Sequence, residues 1–134
     1  MVGLMNKEAN KVQEWDFIPL KEPTPITEHN WPEGTIPLVT TKSITYMHEN
    51  YLRDCIEGIL IQKTTFPVQV LIHDDASTDK TADIMREYES RYPKLIRCFY
   101  QKENTYRKPN RRELMKDYHE ARRGKYYAIC EGDD

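Results

Sequence analysis

Two groups of carboxylates each follow a short apolar run, and acids in such positions can bind a metal or a nucleotide. The acids are Asp74 and Asp75 in the first group, and Glu131, Asp133 and Asp134 in the second. The apolar runs before them are residues 68–72 and 126–130. Carboxylate oxygens suit Mg2+ or Mn2+, which typically bind one or two carboxylates together with substrate phosphates and water. A solvated loop or a helix cap is the alternative explanation for either group taken alone.

The elements that must position these acids alternate along the chain from Pro37 onward. Strands of the buried type are expected at about 38–45, 68–72, 95–100 and 126–130. Between them, apolar residues recur at steps of three and four, which indicates three helices. The order β-α-β-α-β-α-β predicts an α/β fold with a parallel or mostly parallel sheet. Ligands of such sheets bind beyond the carboxyl ends of the strands, so both acidic groups should lie on one rim.

Local signals set the expected ends of the helices. Ser77 or Thr78 can cap the second helix, whose first turn then carries Asp79. Gly124 is the expected C-terminal stop of the third helix. The first strand contains Lys42, although a central parallel strand is buried on both faces. A lysine there needs a partner or a path to solvent.

Length and composition exclude several classes of function. The chain of 134 residues has the length of a single domain, and its net charge of -2 gives no reason to expect a nucleic-acid partner. No apolar stretch approaches the roughly 18 to 20 residues of a membrane span, and residues 1–15 lack the pattern of a secretory signal. Three cysteines, far apart in the sequence, predict reduced core thiols in a cytoplasmic protein rather than a zinc site.

Residues 1–36 differ in pattern from the rest of the chain. Five of the eight prolines lie between Pro19 and Pro37, and the apolar residues there have no sustained period. This pattern predicts an N-terminal extension with little structure of its own. Three aromatic residues could pin it to the surface of the domain formed by residues 37–134. They are Trp15, Phe17 and Trp31.

Three motifs occur in the order of the expected strands and helices. They are "YLRDCIEGILIQ" on the first helix, "DDASTDKT" after the second strand, and "ARRGKYYAICEGDD" around the fourth. Together they resemble the N-terminal half of a family 2 glycosyltransferase, whose pattern has "DDGSTD" and an Asp-x-Asp metal motif at the second and third places. Here Glu131-Gly132-Asp133 stands at the metal motif, with Asp134 beside it. The resemblance covers residues 37–134 and implies a Rossmann-like fold that binds a nucleotide-diphospho-sugar.

The resemblance also implies roles for individual residues. The nucleotide-binding residues would be Thr45, Tyr46, Asp74, Asp75 and Asp133, and the metal ligands would be Glu131, Asp133 and Asp134. Tyr46 would pack against the base, and Asp75 would accept a hydrogen bond from a uracil-like base edge. One basic side chain of "QKENTYRKPNRRE" could reach a phosphate, although such a run is more often a solvated loop.

The implied activity is sugar transfer from a nucleotide-diphosphate donor, with a UDP-type donor favoured, to a hydroxyl of a glycan or lipid-linked acceptor. It would depend on Mn2+ or Mg2+, invert the anomeric centre and serve cell-surface glycan or polysaccharide synthesis. Its expected place is the cytoplasm or the inner face of the membrane. The catalytic base is expected beyond Asp134, so the resemblance implies that the chain is a truncated donor-binding half.

Three other functions fit parts of the pattern. A non-catalytic or degenerate nucleotide-binding module would bind a nucleotide without transferring a sugar. A phospho-receiver signalling domain also places Asp-Asp after an early strand, but it needs an acid after its third strand. Residues 98–101 read Cys-Phe-Tyr-Gln at that point. A structural unit that is stable only with a partner fits the hydrophobic content of 38%.

Overall fold

The computed structural model describes residues 16–130. The strands in this range are β1 (Thr24–Pro25), β2 (Val39–Thr45), β3 (Lys63–Thr64), β4 (Val68–Asp74), β5 (Ile96–Tyr100) and β6 (Tyr126–Ile129). The α-helices are α1 (Leu52–Leu60), α2 (Thr81–Arg91), α3 (Arg111–Leu114) and α4 (Lys116–Glu120), and a 3-10 turn covers Ile26–Glu28.

A four-stranded parallel sheet in the order β5-β4-β2-β6 forms the centre of the fold. Strand β2 pairs with β4 along its whole length, so that Thr45 lies opposite Asp74. On its other side, the first four residues of β2 pair with β6, and Lys42 lies opposite Ile129. This arrangement confirms the predicted α/β fold with parallel strands. The two-residue antiparallel pair β1–β3 is an addition that the sequence did not predict.

Apolar side chains bury both faces of β4, as expected for an inner parallel strand. The larger cluster packs α1 and α2 against one face, and its fully buried members include Leu52, Ile56, Val70, Ile72, Met85 and Tyr88. The smaller cluster on the other face consists of Leu71, Met115 and Tyr118. Burial of each such side chain contributes roughly 1.5–3 kcal/mol, so this packing holds the strand ends in fixed positions.

Two of the three helices differ from the sequence prediction, one at its start and one in its continuity. Helix α2 begins at Thr81 with Lys80 as its N-cap, so the prediction of Ser77 or Thr78 as the cap, with Asp79 in the first turn, was wrong. Asp79 lies just before the helix, where its Oδ1 accepts a hydrogen bond from the amide of Thr81 at 2.9 Å. The third expected helix is divided into α3 and α4 at Met115, where the backbone turns with φ -98° and ψ 9°. At this break the carbonyl of Leu114 accepts a hydrogen bond from Gln101 Nε2 at 2.8 Å, which ties α3 to the sheet.

Gly124 does not end a helix, so that prediction was wrong. Helix α4 ends at Glu120, with Ala121 as its C-cap. Gly124 instead lies against β2, where its amide donates to Thr40 Oγ1 at 2.9 Å. A Cβ atom at this position would come 2.6 Å from the backbone nitrogen of Thr40. The glycine is therefore needed for close approach where the chain enters β6.

Lys42 finds both a partner and a path to solvent. Its Nζ lies 3.0 Å from Nδ1 of His119 and 4.9 Å from the centre of the Tyr118 ring. Burial, followed by the nearby charge of Arg122, lowers the pKa of this lysine below its ordinary value. The lysine in this inner strand is thus accommodated by residues of α4, which pack on this face of the sheet.

Residues 16–36 pack against the start of the domain. Ile26 is buried in the larger core cluster, and its amide donates to the carbonyl of Gln62 at 3.0 Å. The Phe17 and Trp31 rings meet edge to face at 5.7 Å between centroids. The segment therefore obtains its order from the loop around β3. Trp15 lies outside the described residues.

Candidate functional site

The segments after β2, β4 and β5 enclose a cavity at the carboxyl rim of the sheet, here called the rim cavity. Its volume is about 450 Å³, and it is lined by Ile44, Thr45, Tyr46, His48, Asp75, Asn104, Tyr106 and Arg111. Because β2 and β4 are parallel and in register at Thr45 and Asp74, their following loops start side by side. The rim is thus the place where parallel α/β sheets bind ligands.

Asp75 is held rigidly in the wall of this cavity. It is only 3% exposed, and its Oδ1 accepts hydrogen bonds from the amide and the hydroxyl of Thr105 at 2.9 and 2.8 Å. Its backbone is fixed as well, since its amide donates to the Thr45 carbonyl and its carbonyl accepts from Asn104 Nδ2. Within residues 16–130, the second carboxylate oxygen, Oδ2, takes no hydrogen bond.

Asp74 lies beside Asp75 but faces the opposite side of the strand. Both of its carboxylate oxygens accept hydrogen bonds from Ser77, whose hydroxyl in turn accepts from the amide of Met47 at 2.8 Å. Burial raises the pKa of Asp74 above its ordinary value, and the hydrogen bonds from Ser77 oppose that shift. This carboxylate therefore joins the two rim loops to each other.

Further hydrogen bonds join the same two loops. The amide of His48 donates to Thr81 Oγ1 at 2.9 Å, and the amide of Glu49 donates to Asp79 Oδ2 at 3.3 Å. In the other direction, the amide of Lys80 donates to Glu49 Oε1 at 3.3 Å. The loops after β2 and β4 are consequently one connected unit rather than two independent loops.

Each loop contains one residue in the left-handed region of φ. Met47 has φ 57° and Ala76 has φ 66°, a conformation that costs an L-residue roughly 1–2 kcal/mol. Positions of this kind usually carry glycine or asparagine, and the surrounding hydrogen bonds hold the strained backbone in place. Both residues are sequence neighbours of residues that line the cavity, Tyr46 and His48 for Met47 and Asp75 for Ala76.

The strain at Ala76 gives a direct stability test. Ala76→Gly should raise the free energy of unfolding by roughly 0.5–1 kcal/mol, because glycine adopts positive φ without the steric cost. The matched control is Ala82→Gly in helix α2, which should lower it by about 1 kcal/mol. Urea unfolding of the three proteins provides the measurement. A loss of stability in Ala76→Gly would show that the loop conformation is not strained.

The other residues predicted for the nucleotide have different surroundings. Tyr46 lines the cavity and is 47% exposed, which leaves its ring free to contact a ligand. Thr45 is fully buried, and its hydroxyl donates to the carbonyl of His73 at 3.2 Å. Glu131, Asp133 and Asp134 lie outside the described residues. Within residues 16–130, no group of three or more acids, histidines or cysteines could hold a metal ion.

Five further residues line the cavity that were not among the predicted nucleotide-binding residues. They are Ile44, His48, Asn104, Tyr106 and Arg111. Arg111 donates from Nε to Thr105 Oγ1 at 3.2 Å, which connects it to Asp75 through a shared partner. For Asn104, Tyr106 and Arg111 the signal was the basic stretch after the third expected strand, where the sequence gave no reason to choose one cation over another. Among the cations of this stretch, Arg111 is the one that lines the cavity, at the first residue of α3.

His73 lies directly below the rim and is fully buried. Its Nε2 is 3.2 Å from Gln101 Nε2, its ring is 5.1 Å from that of Tyr118, and Nδ1 has no partner within the described residues. Burial lowers the pKa of this imidazole to about 4. A buried imidazole with so low a pKa binds a proton weakly, so His73 is poorly suited to act as a base on a ligand at the rim.

Comparison with known proteins decides the family of the chain. The model of glycosyl transferase family 2 matches residues 43–133. The chain belongs to this glycosyltransferase family. An uncharacterised protein of Mycobacterium tuberculosis is 47% identical over 92 residues, which are 69% of this chain and 25% of that protein. The putative teichuronic acid biosynthesis glycosyltransferase TuaG of Bacillus subtilis is 31% identical over 98 residues, 73% of this chain and 36% of TuaG. The family 2 chain thus spans about a quarter to a third of these relatives.

Solved structures share the fold of this family 2 domain. The mannosyltransferase PcManGT of Pyrobaculum calidifontis, in complex with GDP-Man and Mn2+, has a TM-score of 0.59 at 20% identity, covering 97% of this chain and 34% of PcManGT. S. aureus TarS 1–349 in complex with UDP has a TM-score of 0.56 at 20% identity, covering 71% of this chain and 27% of that one. In the described part of this family 2 chain, no helix has the length and apolarity to cross a bilayer.

Proposed function

We propose that residues 37–134 bind the donor of a glycosyl transfer, a UDP-type nucleotide-diphosphate sugar, at the rim cavity. The observation that supports this most directly is the rigid placement of Asp75, with one oxygen bound by Thr105 and the other left available. A preorganised acceptor in a cavity bordered by an aromatic ring and a guanidinium fits a nucleotide.

The hydrogen bonding of Asp75 favours uracil over guanine and cytosine. Since Oδ1 already accepts two hydrogen bonds, the carboxylate offers one oxygen, which matches the single N3–H of uracil. Guanine presents adjacent N1–H and N2–H2 donors that would need two acceptors. Cytosine presents a lone pair at N3, which a carboxylate repels. A UDP-type donor is therefore the best fit to this wall of the cavity.

Two further cavity residues support binding of the rest of the nucleotide. The exposed ring of Tyr46 can pack against the base. Arg111 uses Nε on Thr105, which leaves its terminal nitrogens for a uracil carbonyl or a phosphate oxygen. Thr45 contributes by fixing Asp75 through its carbonyl, and Asp74 contributes by joining the loops.

We also propose that Glu131, Asp133 and Asp134 hold Mn2+ or Mg2+, with Asp133 near the ribose or diphosphate. Both carboxylate oxygens of Asp74 accept from Ser77, and the one available oxygen of Asp75 is assigned here to the base, so the acids after β6 remain as the donor set for the metal. Strand β6 runs parallel to β2 and therefore directs the chain toward the same rim. When bound, such an ion neutralises charge on the leaving diphosphate. PcManGT, which shares the fold, was solved with Mn2+.

The wider reaction is proposed from the family. The acceptor would be a hydroxyl of a glycan or lipid-linked glycan, the transfer would invert the anomeric centre, and the reaction would take place in the cytoplasm or at the inner face of the membrane. Residues 1–36 would act as an extension of the glycosyltransferase domain. The relationship to TuaG, whose name refers to teichuronic acid biosynthesis, supports a role in cell-surface glycan synthesis.

Calorimetric titration with UDP and CDP tests the donor site. Asp75→Asn should weaken UDP binding by about 10- to 100-fold, because an amide NH2 then meets the N3–H of uracil. The same amide can donate to N3 of cytosine, so the ratio of CDP to UDP affinity should rise. Asp54→Asn on the exposed face of α1 is the matched control and should bind UDP like the unmodified protein.

The metal is tested in the same experiment. Mn2+ should strengthen UDP binding in the unmodified chain and have no such effect in Asp133→Asn/Asp134→Asn.

UDP binding that is unchanged in Asp75→Asn, with native circular dichroism, would refute the donor site. Binding without any transfer to an acceptor by a longer chain would favour the non-catalytic nucleotide-binding module.

A further inference from the structure

A second cavity, here called the basal cavity, lies at the amino end of the sheet. Its volume is about 590 Å³, and it is enclosed by residues 26–37, by the starts of β4 and β5, and by Arg123 in the link to β6. The length of β4 places it about 20 Å from the rim cavity. No residue of the described range lines both cavities.

Hydrogen bonds fix the wall that residues 26–37 contribute. Nε2 of His29 lies 3.0 Å from the Thr24 carbonyl and 3.2 Å from the Thr64 carbonyl. Trp31 donates from Nε1 to Nδ1 of His29 at 2.9 Å, so the proton of this imidazole is on Nε2. The indole is therefore held in one position at the edge of the basal cavity.

The charge of the basal cavity is positive. Three lining side chains are cationic, Arg91, Lys94 and Arg123, whereas Glu33 is the only acid among the lining residues. Arg91 lies 3.7 Å from Glu87 and is partly neutralised. Within residues 16–130, the side chains of Lys94 and Arg123 form neither an ion pair nor a hydrogen bond. Two unpaired cations thus border a cavity that also contains an indole and a phenol ring.

We propose that the basal cavity binds an acidic saccharide, a sugar unit that carries a carboxylate or a phosphate. The indole of Trp31 offers a flat apolar surface for the C–H face of a sugar, beside the Tyr92 ring, which packs on the core with Arg91 over it. Lys94 and Arg123 would pair with the anionic group. The volume falls within the range of small-molecule sites. The inference rests on the proposed function for the source of the saccharide, an acceptor glycan that contacts the domain away from the site of transfer.

Trp31 itself can report on this binding. The chain has two tryptophans, so Trp15→Phe leaves Trp31 as the sole indole. In this background, the full chain is titrated with trigalacturonate, glucose 1-phosphate and neutral maltotriose, and the fluorescence of Trp31 is followed. Trigalacturonate tests a carboxylate ligand, and glucose 1-phosphate tests a phosphate ligand. At least one of them should change the fluorescence saturably, and maltotriose should not.

Charge variants then separate a site from general attraction. Lys94→Ala/Arg123→Ala should weaken the binding of the acidic saccharide by about tenfold or more. Lys80→Ala/Lys116→Ala removes the same charge from exposed positions outside the cavity and should leave the affinity within about twofold. Asp75→Asn should leave saccharide binding unchanged while UDP binding falls, which distinguishes failure of this proposal from failure of the donor site.

Several outcomes would overturn the proposal. These are no saturable response to either acidic saccharide, an equal loss in the two double variants, or loss of saccharide binding in Asp75→Asn. A response to phosphatidylglycerol vesicles in the absence of any response to the saccharides would also overturn it and would identify the cavity as part of a membrane-facing surface.

Discussion

Gly124→Ala should lower the free energy of unfolding by about 3 kcal/mol, the sum of an overpacking cost and a lost hydrogen bond. The added Cβ would lie 2.6 Å from Thr40 N and 2.8 Å from the backbone carbon of Val39. Backbone atoms of a central strand cannot move aside as a flexible side chain can. The link from α4 would therefore have to withdraw from β2.

The affected region is a hydrogen-bonded network that seats β6 on the sheet. Thr40 Oγ1 donates to Gln69 Oε1 at 2.6 Å and accepts from the Gly124 amide at 2.9 Å. Gln69 also accepts from the Arg123 amide and donates to the Ala121 carbonyl. Because Thr40 is fully buried, loss of one member leaves polar groups without partners. Withdrawal of the link should disturb this whole network.

The matched control is Gly58→Ala in helix α1. Nothing lies within 4 Å of a Cβ added at Gly58, and alanine favours the helix, so stability should rise by about 0.5–1 kcal/mol. Urea unfolding at pH 7 measures both variants. If the acids after β6 hold the metal, Gly124→Ala should also lose part of the Mn2+-dependent gain in UDP binding. Equal stability of Gly124→Ala and the unmodified protein would mean that β6 does not depend on this contact.

The sequence predicted the fold well where local pattern and burial agree. Residues 68–72 read as a strand because both faces of β4 are buried, and the helical spacing of Leu52 and Ile56 reflects one buried face of α1. The expectation that Asp74 and Asp75 end a strand at the rim followed directly. The hydrogen-bond partners of these two carboxylates did not follow. Alternation along a strand predicts that the two side chains point to opposite faces, but not which residues they meet there.

Features made by contacts between distant segments could not be predicted. Asp75 and Thr105 are thirty residues apart, and the pattern of "QKENTYRKPNRRE" does not show which residue returns to β4. Gly124 read as a helix stop because glycine has that role often, whereas its function here depends on the position of Thr40 eighty-four residues earlier. Such close approaches are tertiary properties.

Stability should fall steeply in acid because His73 is buried in its neutral form. Burial lowers the pKa of this imidazole in the folded protein to about 4, while the unfolded chain takes up a proton near its ordinary pKa of about 6.5. As pH falls through this window, the unfolded state binds a proton that the folded state does not, so the folded state loses stability. The loss should be roughly 2 kcal/mol between pH 7 and pH 5 and approach roughly 3 kcal/mol near pH 4.

His73→Gln isolates this contribution, since the amide can still meet Gln101 but does not titrate. The variant should be less stable than the unmodified protein at pH 7, and the difference should shrink or reverse at pH 5. His119 changes in the same direction, because burial followed by the charges of Lys42, Arg111 and Arg112 lowers its pKa, but its greater exposure makes the effect smaller. Asp74 acts in the opposite direction, because its raised pKa removes stability as pH rises. A difference in the free energy of unfolding between the two proteins that stays constant from pH 7 to pH 5 would show that His73 takes up its proton in the folded state as well. That result would require water or an anion beside Nδ1, and it would reopen His73 as a titrating group beneath the rim cavity.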